Sequence, residues 1–470
     1  MTRTPERRAP LRVRHAAAAA VLAAVLGLPA CAAPGSPAGP ASAGPGSARP
    51  GSAGPSSAGP AAVPAAALAA GGGSPAALTP ADGAPDGARR LTPAVVAELD
   101  RAVRKVLRDT RAPGALVGLW TPGGRYVRAL GSADRSGRIP MSPRLGFRIG
   151  SETKTFTVTA LLQLVDRGRV RLDDPVSRYV DGVPGGGRIT LRQLAEMRSG
   201  LFSYTEDAAF DKAFLADPHR AFTPRQLLAY AFRHPATARP GMAFQYSNTN
   251  TVLLGLVVEK ASGMPLYRYL AERVMDPVRL RRTLLPIGPE FPEPHARGYT
   301  RQTPTGAVAD ATDWDPSWAW AAGAVISDLD DLRAWAVTAA RGTLLTPATQ
   351  RQRLRTLPTG APGLGYGLGI FDLNGWIGHN GSLPGYQTVA VHLPAAGATL
   401  VVLVNTDAPA PSGGEPGTLF ATAVTRIVTP RHLYALPGAS PSPRPSSRPP
   451  AKRPGTSGGP GASPVAAFGH

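Results

Sequence analysis

The chain has 470 residues, 43% of them hydrophobic, with 51 Lys and Arg against 31 Asp and Glu and a net charge of +20. A single cysteine excludes a disulfide framework. The basic surplus comes without an aromatic–basic stacking pattern, so nucleic acid is not an expected partner; anionic cell-wall polymers or lipid headgroups suit such a surface better.

At the N-terminus Arg3, Arg7, Arg8, Arg12 and Arg14 precede an apolar run over 16–28. That run is too short to span a bilayer comfortably and reads as a signal-peptide core. Arg7-Arg8 followed by Leu11 leaves twin-arginine export open beside the ordinary route. The run ends in Leu28-Pro29-Ala30-Cys31, which resembles a lipobox and marks Cys31 for lipidation. A plain cleavage site with a chance cysteine is the alternative. The protein is therefore expected outside the cell, on the outer face of the membrane as a lipoprotein or secreted. Residues 32–90 are dominated by Ala, Gly, Pro and Ser, which bury too little apolar surface to fold, so they read as a tether. The end of the chain, 437–470, is similar and basic. Its Gly455-Thr-Ser-Gly-Gly459 matches the G-x-S-x-G nucleophile elbow in letters only, since no strand pattern precedes it and no helix pattern follows.

Residues 91–436 are long enough for one substantial core. Thr92-Pro93 opens an amphipathic helix reaching to about residue 108, with proline in the first turn. Strand patterns over 115–120 and 125–130 flank Thr121-Pro-Gly-Gly124 and predict a hairpin. Helical patterns then dominate, over 191–197, 223–233, 251–262, 266–274 and 328–340. Strands return over 376–379, 387–393 and 399–405, and a helix over 418–428 closes the domain. Strands at both ends around a helical insertion predict an α+β fold, one sheet built from both termini and covered by helices.

The stretch Phe147-Arg-Ile-Gly-Ser151-Glu-Thr-Lys154 carries the first chemical signal. An almost unbroken apolar run to Val165, closed by Asp166-Arg-Gly168, reads as a buried helix with a glycine stop. Residues three apart share a helical face, so the Lys154 amine can reach the Ser151 hydroxyl. Serine needs an adjacent base, and a buried lysine can be one because burial lowers its pKa. Only five of the basic residues are lysines, which makes this one informative. A serine cap followed by a lysine lying along an apolar surface would leave the same trace.

Two further stretches are candidates. Tyr246 and Asn248 sit in a loop before an apolar helix; a phenolate favoured by nearby cations could relay protons, and the amide could fix both substrate and lysine. Gly378-His379-Asn380-Gly381-Ser382 precedes the strand 387–393; its glycines permit close backbone approach, and the Ser382 N–H could point into a cleft. Taken singly, each also has an ordinary structural reading.

Taken together, Ser151-x-x-Lys154, Tyr246-x-Asn248 and His379-x-Gly381 resemble the serine β-lactamase and penicillin-binding protein family. Phe147-Arg-Ile-Gly-Ser, Arg198-Ser-Gly-Leu, Ala321-Ala-Gly-Ala and Tyr366-Gly-Leu-Gly extend the likeness, most closely toward secreted D-alanyl-D-alanine carboxypeptidases. The resemblance covers about 110–407. It implies an antiparallel sheet covered by helices plus an all-helical lobe, with the cleft between, and acyl transfer without cofactor or metal.

On this chain the resemblance makes Ser151 the nucleophile and has Lys154 and Tyr246 share the base and acid roles. It makes Asn248 a substrate contact, and it gives the oxyanion hole to the N–H groups of Ser151 and Ser382. His379 takes the place of a lysine as donor or positive charge, and Trp318 is a cleft aromatic, with Phe210 a weaker second. Two positions depart from the pattern: Asn380 stands for a threonine, and Phe371 for an arginine that holds a substrate's terminal carboxylate. The implied partners are a peptidoglycan stem peptide or a small ester or amide, with β-lactams as covalent ligands, and the chain is expected to be a monomer. A D-Ala-D-Ala carboxypeptidase leads; a β-lactamase, an esterase or a D-amino-acid amidase are the other enzymes, and a non-catalytic penicillin-binding lipoprotein is the other class.

Overall fold

The computed structural model describes residues 87–436. The expectations placed on the signal segment, Cys31, nearly all of the tether and the tail from 437 lie outside the described residues. Helix α1 (Pro93–Thr110) starts where expected: the Thr92 hydroxyl accepts from Val95 N, and proline occupies the first turn. Its apolar stripe, Val95, Leu99 and Val103, is buried. Strands β1 (Gly114–Thr121) and β2 (Gly124–Gly131) form the expected hairpin.

The remaining strands of the main sheet come from the C-terminal part: β3 (Leu357–Pro358), β4 (Leu364–Tyr366), β5 (Phe371–Leu373), β6 (Trp376–Leu383), β7 (Tyr386–Leu393) and β8 (Ala398–Val404). The order across the sheet is β2-β1-β8-β7-β6-β5-β4-β3. Strand β1 pairs antiparallel with β8, Ala115 opposite Val404 and Trp120 opposite Thr399, so both ends of the domain build one sheet. Every residue of β7 and β8 is buried, as in a sheet covered on both faces. Helix α1 and the closing helix α5 (Pro416–Val428) cover one face, where Leu99 and Val103 join Val391, Val402, Phe420 and Val424 in one core.

The other face carries helices α2 (Thr153–Asp166), α3 (Asn248–Ser262) and α4 (Leu329–Arg341), with shorter helices over Leu191–Ala195, Ala208–Ala216 and Pro224–Ala231. Every residue of α2 from Thr153 to Leu164 is buried, its threonines, Lys154 and Gln163 included. Phe156 stacks on Trp335 of α4 at 3.8 Å, a contact worth about 0.5–1.5 kcal/mol beyond its buried area. Gly168, at φ +65°, supplies the left-handed stop.

Three boundaries differ from expectation for physical reasons. Strand β6 runs four residues past 379, so the His379–Gly381 motif lies inside a strand; its glycines mark backbone contact rather than a turn. Helix α3 starts at Asn248, three residues early, because Thr249 and Asn250 are polar yet fully buried. The helix expected over 266–274 is α-helical only over Leu266–Tyr269 and continues as a π-helix over Leu270–Met275.

Candidate active site

Ser151 lies in a single 3₁₀ turn, Gly150–Glu152, that leads directly into α2. Gly150 is left-handed, at φ +57°, and a Cβ there would lie 2.6 Å from Ser382 N. On the facing strand, a Cβ on Gly381 would lie 1.9 Å from the Ile149 carbonyl oxygen and 3.0 Å from Ser151 N. Only glycine fits at either position. The nucleophile turn and β6 therefore meet backbone to backbone, which brings the amides of Ser151 and Ser382 to one gap, the arrangement an oxyanion hole needs.

Lys154 is fully buried. Its Nζ lies 2.9 Å from Ser151 Oγ, 2.8 Å from Asn248 Oδ1 and 2.8 Å from the Ala322 carbonyl oxygen. Burial holds the amine well below the usual lysine range. A neutral amine has two N–H donors and one lone pair. Two of the three neighbours are carbonyl oxygens that can only accept, so they take both donors. The lone pair is left for the Ser151 hydroxyl proton. That is a general base in position.

Tyr246 is half-buried, hydrogen-bonds with Ser151, and has its ring centroid 4.9 Å from Lys154 Nζ. Burial raises its pKa, with the Ser151 hydrogen bond opposing, so the phenol form is favoured. Asn248 opens α3 and is held from both sides: its backbone N–H donates to Ser203 Oγ at 3.1 Å, and its Nδ2 donates to Thr205 Oγ1 at 3.1 Å. Its observed partner is Lys154.

His379 is buried, and burial depresses its pKa to about 3, so its ring is neutral. Of the two roles the resemblance offers at this position, donor or positive charge, the neutral ring leaves the first. Its Nδ1 lies 2.6 Å from the Asn380 carbonyl oxygen and so carries the proton, leaving Nε2 to accept from the Tyr366 hydroxyl at 3.1 Å. Asn380 contributes that carbonyl; its side chain is buried and faces with Val389, its cross-strand partner.

The expectation for Phe371 is corrected. It is fully buried in the core under α1 and α5, with its ring 5.3 Å from His379 and 6.3 Å from Tyr434, and it presents nothing to a cleft. Trp318 is half-buried on the turn Pro316–Trp318, and with Leu383, Pro384 and Arg148 it lines a small cavity of about 10 Å³. Leu383 follows Ser382 directly, so this aromatic borders the site. Phe210, packed 6.2 Å from Trp318, is buried a layer behind it.

Several groups escape a sequence reading. The Ala322 carbonyl, Ser203, Thr205 and Tyr366 hold the functional side chains, and a backbone oxygen has no letter of its own. Glu152, next to the nucleophile, is buried; Thr155 Oγ1 donates to one carboxyl oxygen at 3.2 Å and the other has no partner. Burial pushes this carboxyl well above the usual range, with the Thr155 hydrogen bond and then Arg353 opposing, which favours the protonated acid. No group of three or more His, Cys, Asp or Glu suited to a metal occurs among the described residues.

A family model described as Beta-lactamase matches residues 99–423. The chain is 30% identical over 316 residues to a D-aminopeptidase of Brucella anthropi, covering 65% of this chain and 59% of that protein. Among solved structures, a D-stereospecific amidohydrolase from Streptomyces sp. is 34% identical with a TM-score of 0.61, covering 66% of this chain and 94% of that one. A D-amino acid amidase from Ochrobactrum anthropi SV3 is 27% identical with a TM-score of 0.59, covering 70% and 96%. The chain spans 59 to 64% of the length of the curated relatives it matches first. Both the sequence motifs and the fold agree with these likenesses, and the chain belongs to the β-lactamase family of serine hydrolases.

Proposed function

We propose that this chain hydrolyses amides of D-amino acids through an acyl-enzyme on Ser151, with D-aminoacyl amides or the N-terminal D-residue of short peptides as substrates. The observation that carries the acyl-enzyme step is the placement of Lys154 Nζ between two obligate acceptors and the Ser151 hydroxyl. As Ser151 Oγ bonds to the substrate carbonyl carbon, its proton passes to Nζ. The oxyanion lies against the N–H groups of Ser151 and Ser382. The C–N bond breaks as Tyr246 gives its phenolic proton to the leaving nitrogen, and the Lys154 ammonium then restores it. Water takes the place of the amine in the second half, and the free acid and Ser151 are released.

Two observations support the amidase over the carboxypeptidase that the motifs first suggest. The position that the resemblance aligns with a carboxylate-holding arginine is the buried Phe371. The relatives named for D-aminopeptidase and D-amidase activity point the same way. We take the enzyme to act outside the membrane, anchored at Cys31.

The test compares kcat/KM for D-alanine p-nitroanilide with that for Nα-acetyl-L-Lys-D-Ala-D-Ala, alongside labelling by a fluorescent penicillin and a fluorophosphonate. Preference for the anilide, with labelling abolished in Ser151→Ala, is expected. Preference for the acylated free-acid peptide would restore the carboxypeptidase, and fast loss of penicillin label would make the protein a β-lactamase. Label that persists with no turnover of either substrate would make it a binding protein.

A further inference from the structure

We infer a second, non-catalytic site: a pocket that binds a phosphate group, at the end of α2 remote from Ser151. A concavity of about 360 Å³ is lined by Arg167, Arg169 and Arg273 with Tyr269, over an apolar floor that includes Leu164 and Met264. It lies about 20 Å along α2 from the nucleophile, at 1.5 Å per residue. No acidic residue lines it. None of the three arginines forms an ion pair among the described residues.

The cations are organised rather than scattered. Tyr269 is 2% exposed, and its hydroxyl accepts from Arg167 Nη1 at 2.8 Å. Arg273 lines the same concavity beside that phenol. The Arg273 backbone is itself fixed to α2, where Gln163 Nε2 donates to its carbonyl at 2.8 Å.

The ordinary explanation for arginines at a helix end is that they serve its free carbonyls. Here those carbonyls are already used: Gln163, Leu164 and Val165 accept from the backbone N–H groups of Arg167, Arg169 and Gly168 at 3.2, 2.9 and 2.9 Å. Apart from the bond from Arg167 Nη1 to Tyr269, the guanidinium groups are left for another acceptor. Planar forks suit phosphate oxygens, which offer more acceptor positions and more charge than a carboxylate. The volume beyond one phosphate and the apolar floor leave room for an attached glycerol or alkyl portion. The phosphate can come from a lipid headgroup or from a soluble polyol phosphate.

The test uses the full chain carrying Cys31→Ser, so that an acyl chain does not itself bring it to lipid. Calorimetric titration with inorganic phosphate and with glycerol 3-phosphate should show saturable binding. Arg167→Gln with Arg273→Gln should weaken it about tenfold or more, the loss of two charge-assisted contacts. Arg104→Gln with Arg426→Gln removes the same charge from other exposed positions and should leave it unchanged. Arg167→Lys, which keeps charge and loses the fork, should fall between and covers the case in which the double variant does not fold. Flotation with phosphatidylglycerol vesicles but not phosphatidylcholine vesicles, lost in the pocket variant, would identify a headgroup. Glycerol 3-phosphate binding without flotation would identify a soluble source. Absence of phosphate binding, or equal losses in the two double variants, overturns the site. So does a lower melting temperature in the pocket variant without any phosphate binding in the parent, which would return the arginines to the helix ends.

Discussion

Asn248→Asp is the sharpest probe of the base. The change is nearly isosteric, and it replaces a neutral oxygen 2.8 Å from Lys154 Nζ by a charged one. At an effective dielectric of about 20, two unit charges at that distance attract by roughly 6 kcal/mol. That attraction favours the ammonium and removes the lone pair that takes the Ser151 proton. With about 1.4 kcal/mol per factor of ten, the loss in acylation rate at neutral pH should be on the order of 10² to 10⁴. The lower figure applies if the new carboxyl takes a proton itself. Raising the lysine pKa also moves the acidic limb of the kcat/KM profile to higher pH, because the neutral amine then appears only at higher pH. Pre-steady-state labelling by a fluorophosphonate across pH 5 to 10, at about one-unit steps, measures both effects. An Asp variant that labels at the parent rate with an unmoved limb would show that Lys154 does not act as a neutral base. Asn248→Ala serves as the control, since it loses the orienting contact without adding charge and should lower the rate without moving the limb upward.

Gly381→Ala should cost most of the activity while leaving Ser151 in place, because its Cβ would sit 1.9 Å from the Ile149 oxygen and force β6 away from the nucleophile turn; unchanged kcat would mean the Ser382 amide is not used. Glu152→Gln should raise stability increasingly as pH rises between about 5 and 8. The native carboxyl, its pKa raised by burial, keeps a proton that the unfolded chain gives up above its ordinary value, so folding of the parent weakens as pH rises through that window. Parallel melting-temperature curves for parent and variant would contradict it. Cys31→Ser should move the protein from the membrane fraction to the medium with activity per molecule unchanged, and a variant that stays in the membrane fraction would remove the lipid anchor.

Much of the architecture was legible because it rests on local signals. Thr92-Pro93, Gly168 and the paired apolar runs mark α1, the end of α2 and the hairpin, and each acts over a few residues. Strands β3, β4 and β5 were not legible, since two or three residues carry no period. The extension of β6 was hidden by Gly378 and Gly381, whose usual meaning is a turn. Here Gly381 meets the turn at Ile149 and Ser151, and Gly378 meets the neighbouring strand at Ala390 and Val391, contacts that sequence order cannot display.

The site divides along a different line. The spacing Ser151-x-x-Lys154 fixes reach, and reach was read correctly. Protonation is less legible, because it depends on burial rather than residue type: the sequence leaves His379 open as donor or positive charge, and burial favours the neutral ring. Phe371 shows a related limit. The absence of an arginine is visible in the sequence, but not whether the position faces cleft or core.

Lysine and arginine in this protein show why type still matters once burial is known. Arg353 is as buried as Lys154, with Nη1 donating to Thr159 Oγ1 at 3.0 Å and Nη2 donating to the Thr155 carbonyl at 3.2 Å. Burial lowers its pKa only to about 10, so it keeps its charge at neutral pH and can serve structure alone. Lys105, Lys212 and Lys260 are exposed. Lys154 alone among the described lysines is enclosed, where the same loss of solvent removes its proton and leaves a lone pair facing a serine. Arginine, which keeps its charge when buried, could not serve as the proposed base, and among the described lysines the one buried is the one placed for that role.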